Sequence, residues 1–225
     1  MSPFDDIRSA PYRLAFVLAP LLMGIAMVLD LTPGTDSTQE LLAAVADQPG
    51  RWLLTGTLFL LSGLGWAVTG VVLHRVARGR SRLIAVGGVL LATGGAALAL
   101  LDAAGSYLPA LAGSGASLEQ QVAVVEQVES TPVLVVIEVV HVAGWALGLL
   151  LVAIGLLRSR VVPAWVPVLL LVGFAGMFAF TGGVPILVAA ALLVVGMTGL
   201  ALRLPQAAPA PRGADPAPSL SRTAT

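Results

Sequence analysis

The chain has 225 residues, of which 57% are hydrophobic and 11% are charged, whereas soluble domains contain about 25% charged residues. This shortage of charge, together with apolar runs of about twenty residues, indicates an integral membrane protein and excludes an ordinary soluble domain. The chain contains no Cys, which excludes disulfides, thiolate metal sites and a Cys nucleophile.

Hydropathy predicts an all-α fold, an integral membrane bundle of six transmembrane helices. The six spans cover approximately Leu14–Leu31, Trp52–His74, Leu83–Leu101, Pro132–Leu157, Ala164–Phe180 and Pro185–Leu202. Because the segment before the first span contains two acidic residues and no clear cleavage site follows the span, we expect this span to be retained rather than removed as a signal peptide. Residues 164–204 should form a helical hairpin, since only a tight turn fits at 181–184.

The distribution of Arg predicts the orientation of the chain. All twelve basic residues are Arg, and in the six-span arrangement only Arg51 falls on the side opposite the others. The positive-inside rule then places both termini in the cytoplasm, in a bacterial cytoplasmic membrane. Most acidic residues lie in the two long outer loops: Asp36, Glu40, Asp47, Glu119, Glu126 and Glu129. Residues 1–204 form the membrane domain, and residues 205–225, rich in Pro and Ala, are predicted to be a disordered cytoplasmic tail.

Each long outer loop is predicted to contain a short amphipathic helix. The segments 37–40 (STQE) and 117–120 (SLEQ) fit the capping-box pattern, in which a hydroxyl and the fourth side chain satisfy exposed amides reciprocally. Apolar stripes follow both segments, so we expect the two helices to lie on the outer membrane face or across the mouth of the bundle.

An internal repeat relates the first four spans. Gly65-Trp66-Ala67 recurs as Gly144-Trp145-Ala146, 79 residues later, and the capped loop segments recur at nearly the same offset. The repeat units, about 14–82 and 83–160, both begin in the cytoplasm. The pattern therefore predicts a parallel duplication of a unit that consists of a helix, an outer amphipathic helix and a second helix.

Glu138 and His141 are the two ionisable residues inside the fourth span. Their spacing places both on one face of a helix, and the cost of a charge in the bilayer core makes us expect that face to meet protein or water. One hypothesis is a proton-relay or ligand site that opens outward toward Asp30 and Asp102. The favoured interpretation is an interhelical hydrogen-bonding pair that fixes helix packing.

Asp30 and Asp102 end the first and third spans, where they either rim a shared vestibule or stop the helices at the headgroup level; the second role is favoured. The chain has two His residues, His74 and His141, at different depths. This argues against a bis-His haem, and the ligand set is too small for a metal-dependent hydrolase. We therefore expect no metal and no cofactor.

Small residues predict the packing faces of the second and fourth spans. These residues are Gly56, Gly63 and Gly70 on the second span and Gly144, Gly148 and Gly155 on the fourth. Such stripes let helices approach closely, so the two spans either meet each other or present a face to a second copy or a partner membrane protein. A basic loop follows the second span, with Arg75, Arg78, Arg80 and Arg82. We interpret it as a determinant of topology, with binding of anionic lipid headgroups as the alternative.

The stretch His141–Gly148 (HVAGWALG), the turn Arg158–Arg160 and the segment 162–165 (VPAW) together resemble the later half of uncharacterised six-helix bacterial membrane proteins of the domain-of-unknown-function type. The resemblance covers Pro132–Leu204. It implies an inner-membrane helical bundle without a known activity, so it transfers no catalytic or binding residue.

The function that the sequence favours is that of a non-enzymatic membrane protein, either an accessory or regulatory subunit or a small-molecule binder. The alternative is a small permease or proton-coupled exporter that uses Glu138 and His141 with Asp30 or Asp102. A third hypothesis is an intramembrane redox or lipid-modifying enzyme. The expected surroundings are the lipid bilayer, and no nucleic-acid partner is expected.

Overall fold

The computed structural model describes residues 10–30, 35–78, 81–180 and 183–203. Within these ranges the chain forms helices and no strand. The helices are α1 (Ala10–Leu29), α2 (Thr38–Asp47), α3 (Pro49–Ala77), α4 (Arg82–Gly105), α5 (Leu108–Ala112), α6 (Leu118–Glu129), α7 (Pro132–Ser159), α8 (Trp165–Ala179) and α9 (Gly183–Arg203). The predicted tail, Arg80 and the first part of the predicted turn at 181–184 lie outside the described residues.

The structure confirms a helical, multi-pass membrane protein. Five stretches of the described chain are long and apolar enough to cross a membrane: α1, α3, α4 with α5, α7 and α9. The remaining apolar helix, α8, has 15 residues. At 1.5 Å per residue it is about 22 Å long, which is shorter than the roughly 30 Å hydrocarbon core of a bilayer.

The long helices and α8 are arranged as a ring that follows chain order. Helix α1 packs on α3, α3 on α4, α4 on α7, α7 on α8, α8 on α9, and α9 back on α1. The interior of the ring is filled by large apolar side chains that are almost wholly buried, among them Trp66, Leu149, Leu193 and Met197.

Helix α4 lies between α3 and α7, and two glycine pairs permit this arrangement. In the first pair, a Cβ on Gly87 would lie 2.8 Å from the carbonyl oxygen of Gly148 on α7, and a Cβ on Gly88 would lie 2.6 Å from that of Gly70 on α3. Gly94 and Gly95 repeat the arrangement seven residues later. Because seven residues are close to two helical turns, the pairs present one small-residue face to each neighbour. The glycine faces of α3 and α7 thus pack on α4 and not on each other.

Helices α2, α5 and α6 pack together across one end of the bundle, and we call them the cap. Their apolar faces bury Leu42, Val45, Leu108 and Val125 in a small cluster of their own. At the opposite end Arg75, Arg78, Arg82 and Arg158 are exposed, and we call this the arginine end.

Local hydrogen bonds fix where the cap helices begin. Ser117 and Gln120 form a complete capping box at α6, with N···O distances of 3.3 and 3.2 Å. At α2 the Ser37 hydroxyl accepts from the amide of Glu40 at 3.3 Å, but the Glu40 carboxylate accepts from the amide of Asp36 at 2.7 Å. The second half of this predicted box is therefore displaced by one residue.

Candidate functional site

A cavity of about 540 Å³ lies between the cap and the adjoining ends of α1, α3, α4 and α7. Four carboxylate side chains line it, those of Asp30, Asp102, Glu129 and Glu138. The structure thus brings together three of the four residues that the sequence singled out as a candidate polar site. The fourth carboxylate, Glu129, was expected only to be an acid of an outer loop.

Three of these carboxylates lie at helix C-termini. Asp30 directly follows α1, Asp102 is in the last turn of α4, and Glu129 is the last residue of α6. The C-terminus of a helix carries a partial negative charge, whereas the first turns of α3 and α7, which also border the cavity through Trp52 and Leu134, carry a partial positive one. The acidic character of the wall therefore comes from its carboxylate side chains.

Among the described residues Arg51 is the basic side chain at this end, and its guanidinium donates to two backbone carbonyls and to the side chain of Gln48. Its Nε–H donates to the carbonyl of Leu29 at 2.7 Å and its Nη2–H to that of Asp30 at 3.4 Å. The Thr55 hydroxyl also donates to the Leu29 carbonyl, at 3.2 Å. Arg51 and Thr55 therefore satisfy carbonyls at the end of α1 that have no partner within the helix.

The remaining wall of the cavity is apolar and aromatic. Trp52, Phe59 and Tyr107 line it together with aliphatic side chains such as Leu101 and Leu134. The Trp52 indole N–H donates to the carbonyl of Gly105 at 3.3 Å, which fixes one aromatic wall to the end of α4. The cavity thus combines charged groups with the predominantly apolar lining that is typical of small-molecule sites.

Asp102 has one oxygen in an unusual environment. Its Oδ2 atom is buried and accepts no hydrogen bond from the described residues. A buried polar atom without a partner is costly, and such atoms call for a ligand, an ion or water.

Glu138 lies where the cavity meets the lipid-facing surface. Its side chain is exposed, and besides the cavity it lines a groove on α7 formed with Val139, Val142, Ala143, Ala146 and Leu147. Helix α7 has 28 residues and its neighbour α8 only 15, so the cap-proximal half of α7 extends past α8. This difference in length leaves the lateral side of the cavity accessible along α7.

His141 points away from the cavity and toward α4. Its Nδ1 lies 3.1 Å from the carbonyl oxygen of Gly94. Because a carbonyl can only accept, Nδ1 carries the proton and donates it. The imidazole also stacks on Trp145, with ring centroids 6.4 Å apart. Glu138 and His141 share a helix but are not hydrogen-bonded to each other, so the predicted pair is divided between the cavity and the helix interface.

The glycines that the sequence assigned to packing divide into two groups. Gly63, Gly70, Gly144, Gly148 and Gly155 lie against α4 at distances that a Cβ would make too short. A Cβ on Gly56 would meet nothing within 4 Å, and this residue lines the cavity instead. The glycine pairs of α4 were not singled out, although the repetition of Gly-Gly after seven residues was visible in the sequence.

At the arginine end, Arg75, Arg78 and Arg82 are exposed and distant in sequence from the cavity residues. His74 links two helices here, since its Nδ1–H donates to the carbonyl of Ala85 on α4 at 3.0 Å. Both His residues of the chain therefore donate to backbone carbonyls of α4.

No three His, Asp or Glu side chains among the described residues are close enough together to hold a metal ion. The carboxylates that line the cavity therefore do not form such a cluster.

The family model for a domain of unknown function, DUF4386, matches residues 14–208. The chain therefore belongs to this family, in agreement with its resemblance to uncharacterised bacterial membrane proteins. No curated protein and no solved structure matches the chain.

Proposed function

We propose that this membrane protein is a non-enzymatic small-molecule binder whose site is the cavity beneath the cap. The observation that carries the proposal is the cavity itself, about 540 Å³ in volume, with carboxylates set in an apolar and aromatic wall. A volume of this size falls within the range of about 300–1,000 Å³ that is typical of small-molecule sites.

We further propose that α8 crosses the membrane, which gives six spans with both termini in the cytoplasm. Arg158 lies in the last turn of α7 and Arg203 ends α9, and the positive-inside rule places both on the cytoplasmic side of a bacterial inner membrane. The chain must then cross outward between them, and α8 is the apolar helix that lies there. The cavity would accordingly open on the outer side.

The proposed duplication is supported by equivalent contacts in the two units. The Ser62 hydroxyl on α3 donates to the carbonyl of Ala19 on α1 at 2.8 Å. At the position 79 residues later, His141 on α7 donates to the carbonyl of Gly94 on α4 at 3.1 Å.

The glycine of each Gly-Trp-Ala motif packs at the same place. A Cβ on Gly65 would lie 2.9 Å from the Cβ of Ala19, and a Cβ on Gly144 would lie 3.0 Å from the Cα of Gly94. Ala19 of α1 and Gly94 of α4 thus occupy equivalent positions, both in the hydrogen bonds and in the glycine contacts. This is expected if the two units arose by duplication of one helical hairpin. On this proposal, helix α5 is an insertion in the second unit.

A permease is the alternative function, and the packing below the cavity weighs against it. Trp66 and Trp145 occupy the centre of the bundle, and Phe174 packs on Trp145 with ring centroids 5.4 Å apart. A transport path to the arginine end would have to displace these rings. An accessory role through the glycine faces of α3 and α7 is also disfavoured, because α4 of the same chain already covers them.

A lipid-modifying or redox enzyme is the third hypothesis. The groove beside Glu138 offers lateral access, but His141 is committed to the Gly94 carbonyl and its imidazole does not line the cavity. A general acid–base pair would require both groups within hydrogen-bonding reach of one substrate.

The experiment compares Gly56→Leu with Gly50→Leu. Both glycines leave room for a side chain, but only Gly56 lines the cavity. Purified protein in detergent micelles is dialysed against three probes of similar shape: tetraphenylphosphonium, tetraphenylborate and neutral triphenylphosphine oxide. We expect at least one probe to bind the native protein and the Gly50→Leu variant, and to bind Gly56→Leu about tenfold more weakly, a difference of about 1.4 kcal/mol. If the Gly56→Leu variant binds all three probes as tightly as the native protein does, the proposal is contradicted.

A further inference from the structure

We infer that the ligand of this cavity is a lipophilic organic cation, which reaches it laterally from the membrane past Glu138. The inference rests on the function proposed above and adds the charge of the ligand, its chemical class and its route.

The charge follows from the wall of the cavity. Asp102, Glu129 and Glu138 all contribute carboxylates to it. The guanidinium of Arg51 is held at the end of α1, where it donates to the carbonyls of Leu29 and Asp30. A cleft lined by one sign of charge between low-dielectric walls concentrates ligands of the opposite sign.

The chemical class follows from what lies between the carboxylates. The described residues offer no converging set of acidic side chains for a metal ion. Trp52, Phe59 and Tyr107 instead provide aromatic surface, which attracts organic cations through the ring quadrupole. A cation whose charge is spread over an apolar body satisfies both kinds of wall, whereas a hydrated inorganic ion satisfies neither.

The route follows from the position of Glu138. It is the residue shared by the acidic cavity and the apolar groove on α7. The groove is continuous with lipid-facing side chains, since Val136 and Val139 are each 60% exposed. An amphiphilic cation in the bilayer can therefore keep its apolar part along Val142 and Ala143 while its charged part passes Glu138.

A second copy of the chain does not fit the same groove. A symmetric dimer through this face of α7 would bring the Glu138 of both copies into one interface, because a two-fold interface repeats the same patch on both chains. Two carboxylates would then share a medium of low dielectric constant, where like charges repel. A cationic ligand removes this conflict.

The test of charge uses the same probes and two matched variants of α6. Glu129 lines the cavity and Glu126, one turn earlier on the same helix, is exposed and does not. We expect tetraphenylphosphonium to bind more tightly than tetraphenylborate. Glu129→Gln and Glu138→Gln should each weaken its binding about tenfold, because each removes one negative charge from the wall. Glu126→Gln should leave its affinity unchanged.

The outcomes separate the two proposals. Suppose that probe binding depends on Gly56. If it then shows no preference for the cation, or if Glu129→Gln leaves it unchanged, the cation inference is overturned and the binding function stands. If no probe binds in a Gly56-dependent way, both proposals fail.

The test of the route compares methyltriphenylphosphonium with dodecyltriphenylphosphonium. Ala143→Phe fills the groove, and Ala96→Phe adds the same ring at an exposed position of α4 outside it. We expect Ala143→Phe to remove most of the affinity that the dodecyl chain adds, and Ala96→Phe to preserve it. Equal effects of the two substitutions, or none from either, would overturn lateral entry.

Discussion

The indole rings of Trp66 and Trp145 meet edge to face, with centroids 6.0 Å apart and planes at 73°. They belong to the two Gly-Trp-Ala motifs, one on α3 and one on α7, so the contact joins equivalent positions of the proposed repeat across the ring. Both side chains are almost fully buried, and neither indole N–H has a hydrogen-bond acceptor among the described residues. The pair therefore acts through its apolar surface and shape rather than through hydrogen bonds.

The first prediction concerns the chemistry of this pair. We expect Trp145→Phe to change the free energy of unfolding by less than about 1.5 kcal/mol, because it removes an unsatisfied donor as it removes volume. Trp145→Ala should cost about 3–5 kcal/mol, since it leaves a cavity. The measurement is unfolding of the purified protein in detergent micelles. Similar losses for the two substitutions would show that the indole N–H has a partner.

The second prediction compares two glycines on the same helix, seven residues apart. A Cβ on Gly63 would lie 2.6 Å from the carbonyl oxygen of Gly95 and 2.8 Å from the amide nitrogen of Ala99. These are backbone atoms and cannot rotate away, so Gly63→Ala should destabilise the protein by roughly 1–3 kcal/mol.

Gly56→Ala is the control for this prediction. A Cβ there meets nothing within 4 Å, and Ala is a better helix former than Gly by about 0.5–1 kcal/mol. We therefore expect Gly56→Ala to be neutral or stabilising. The midpoints of thermal unfolding of the two variants are compared in the same micelles. If both substitutions shift the midpoint in the same direction, the close approach of α3 and α4 is contradicted.

The third prediction concerns the hydrogen bond between α3 and α1. The Ser62 hydroxyl is fully buried and donates to the Ala19 carbonyl, whereas Thr57 donates to Leu53 of its own helix at an exposed position. Interhelical bonds of this kind contribute about 0.6 kcal/mol on average in membrane bundles. We expect Ser62→Ala to lose about that much stability and Thr57→Val to lose none. A larger loss for Thr57→Val would contradict the assignment.

The fourth prediction tests the orientation and the crossing by α8. Because the chain has no Cys, single-Cys variants can be labelled with a membrane-impermeant maleimide without background. Three exposed positions serve this purpose: Ser114 between the cap helices α5 and α6, Val161 before α8 and Phe180 after it. We expect Ser114→Cys and Phe180→Cys to react in intact cells.

Val161→Cys should react only after the membrane is permeabilised. If Phe180→Cys stays unlabelled in intact cells while Ser114→Cys reacts, α8 does not cross the membrane. Labelling of Val161→Cys in intact cells, with Ser114→Cys protected, would reverse the proposed orientation.

Sequence alone determined the features that depend on short stretches of chain. Pro132 begins α7 as expected, because Pro is favoured in the first turn of a helix, and the hydroxyl of Ser117 predicted the start of α6 correctly. The membrane class followed from the length and hydropathy of the spans, since a bilayer sets both.

Tertiary structure decided which face of each span meets which neighbour. The spans are apolar around most of their circumference, so hydropathy does not indicate which side is buried. His141 and Glu138 lie on the same helix, yet His141 contacts α4 whereas Glu138 lines the cavity. Gly56 continues the stripe of Gly63 but lines the cavity, because no helix approaches it closely there. In a membrane, close packing between backbones sets helix rotation, and that depends on residues far apart in the chain.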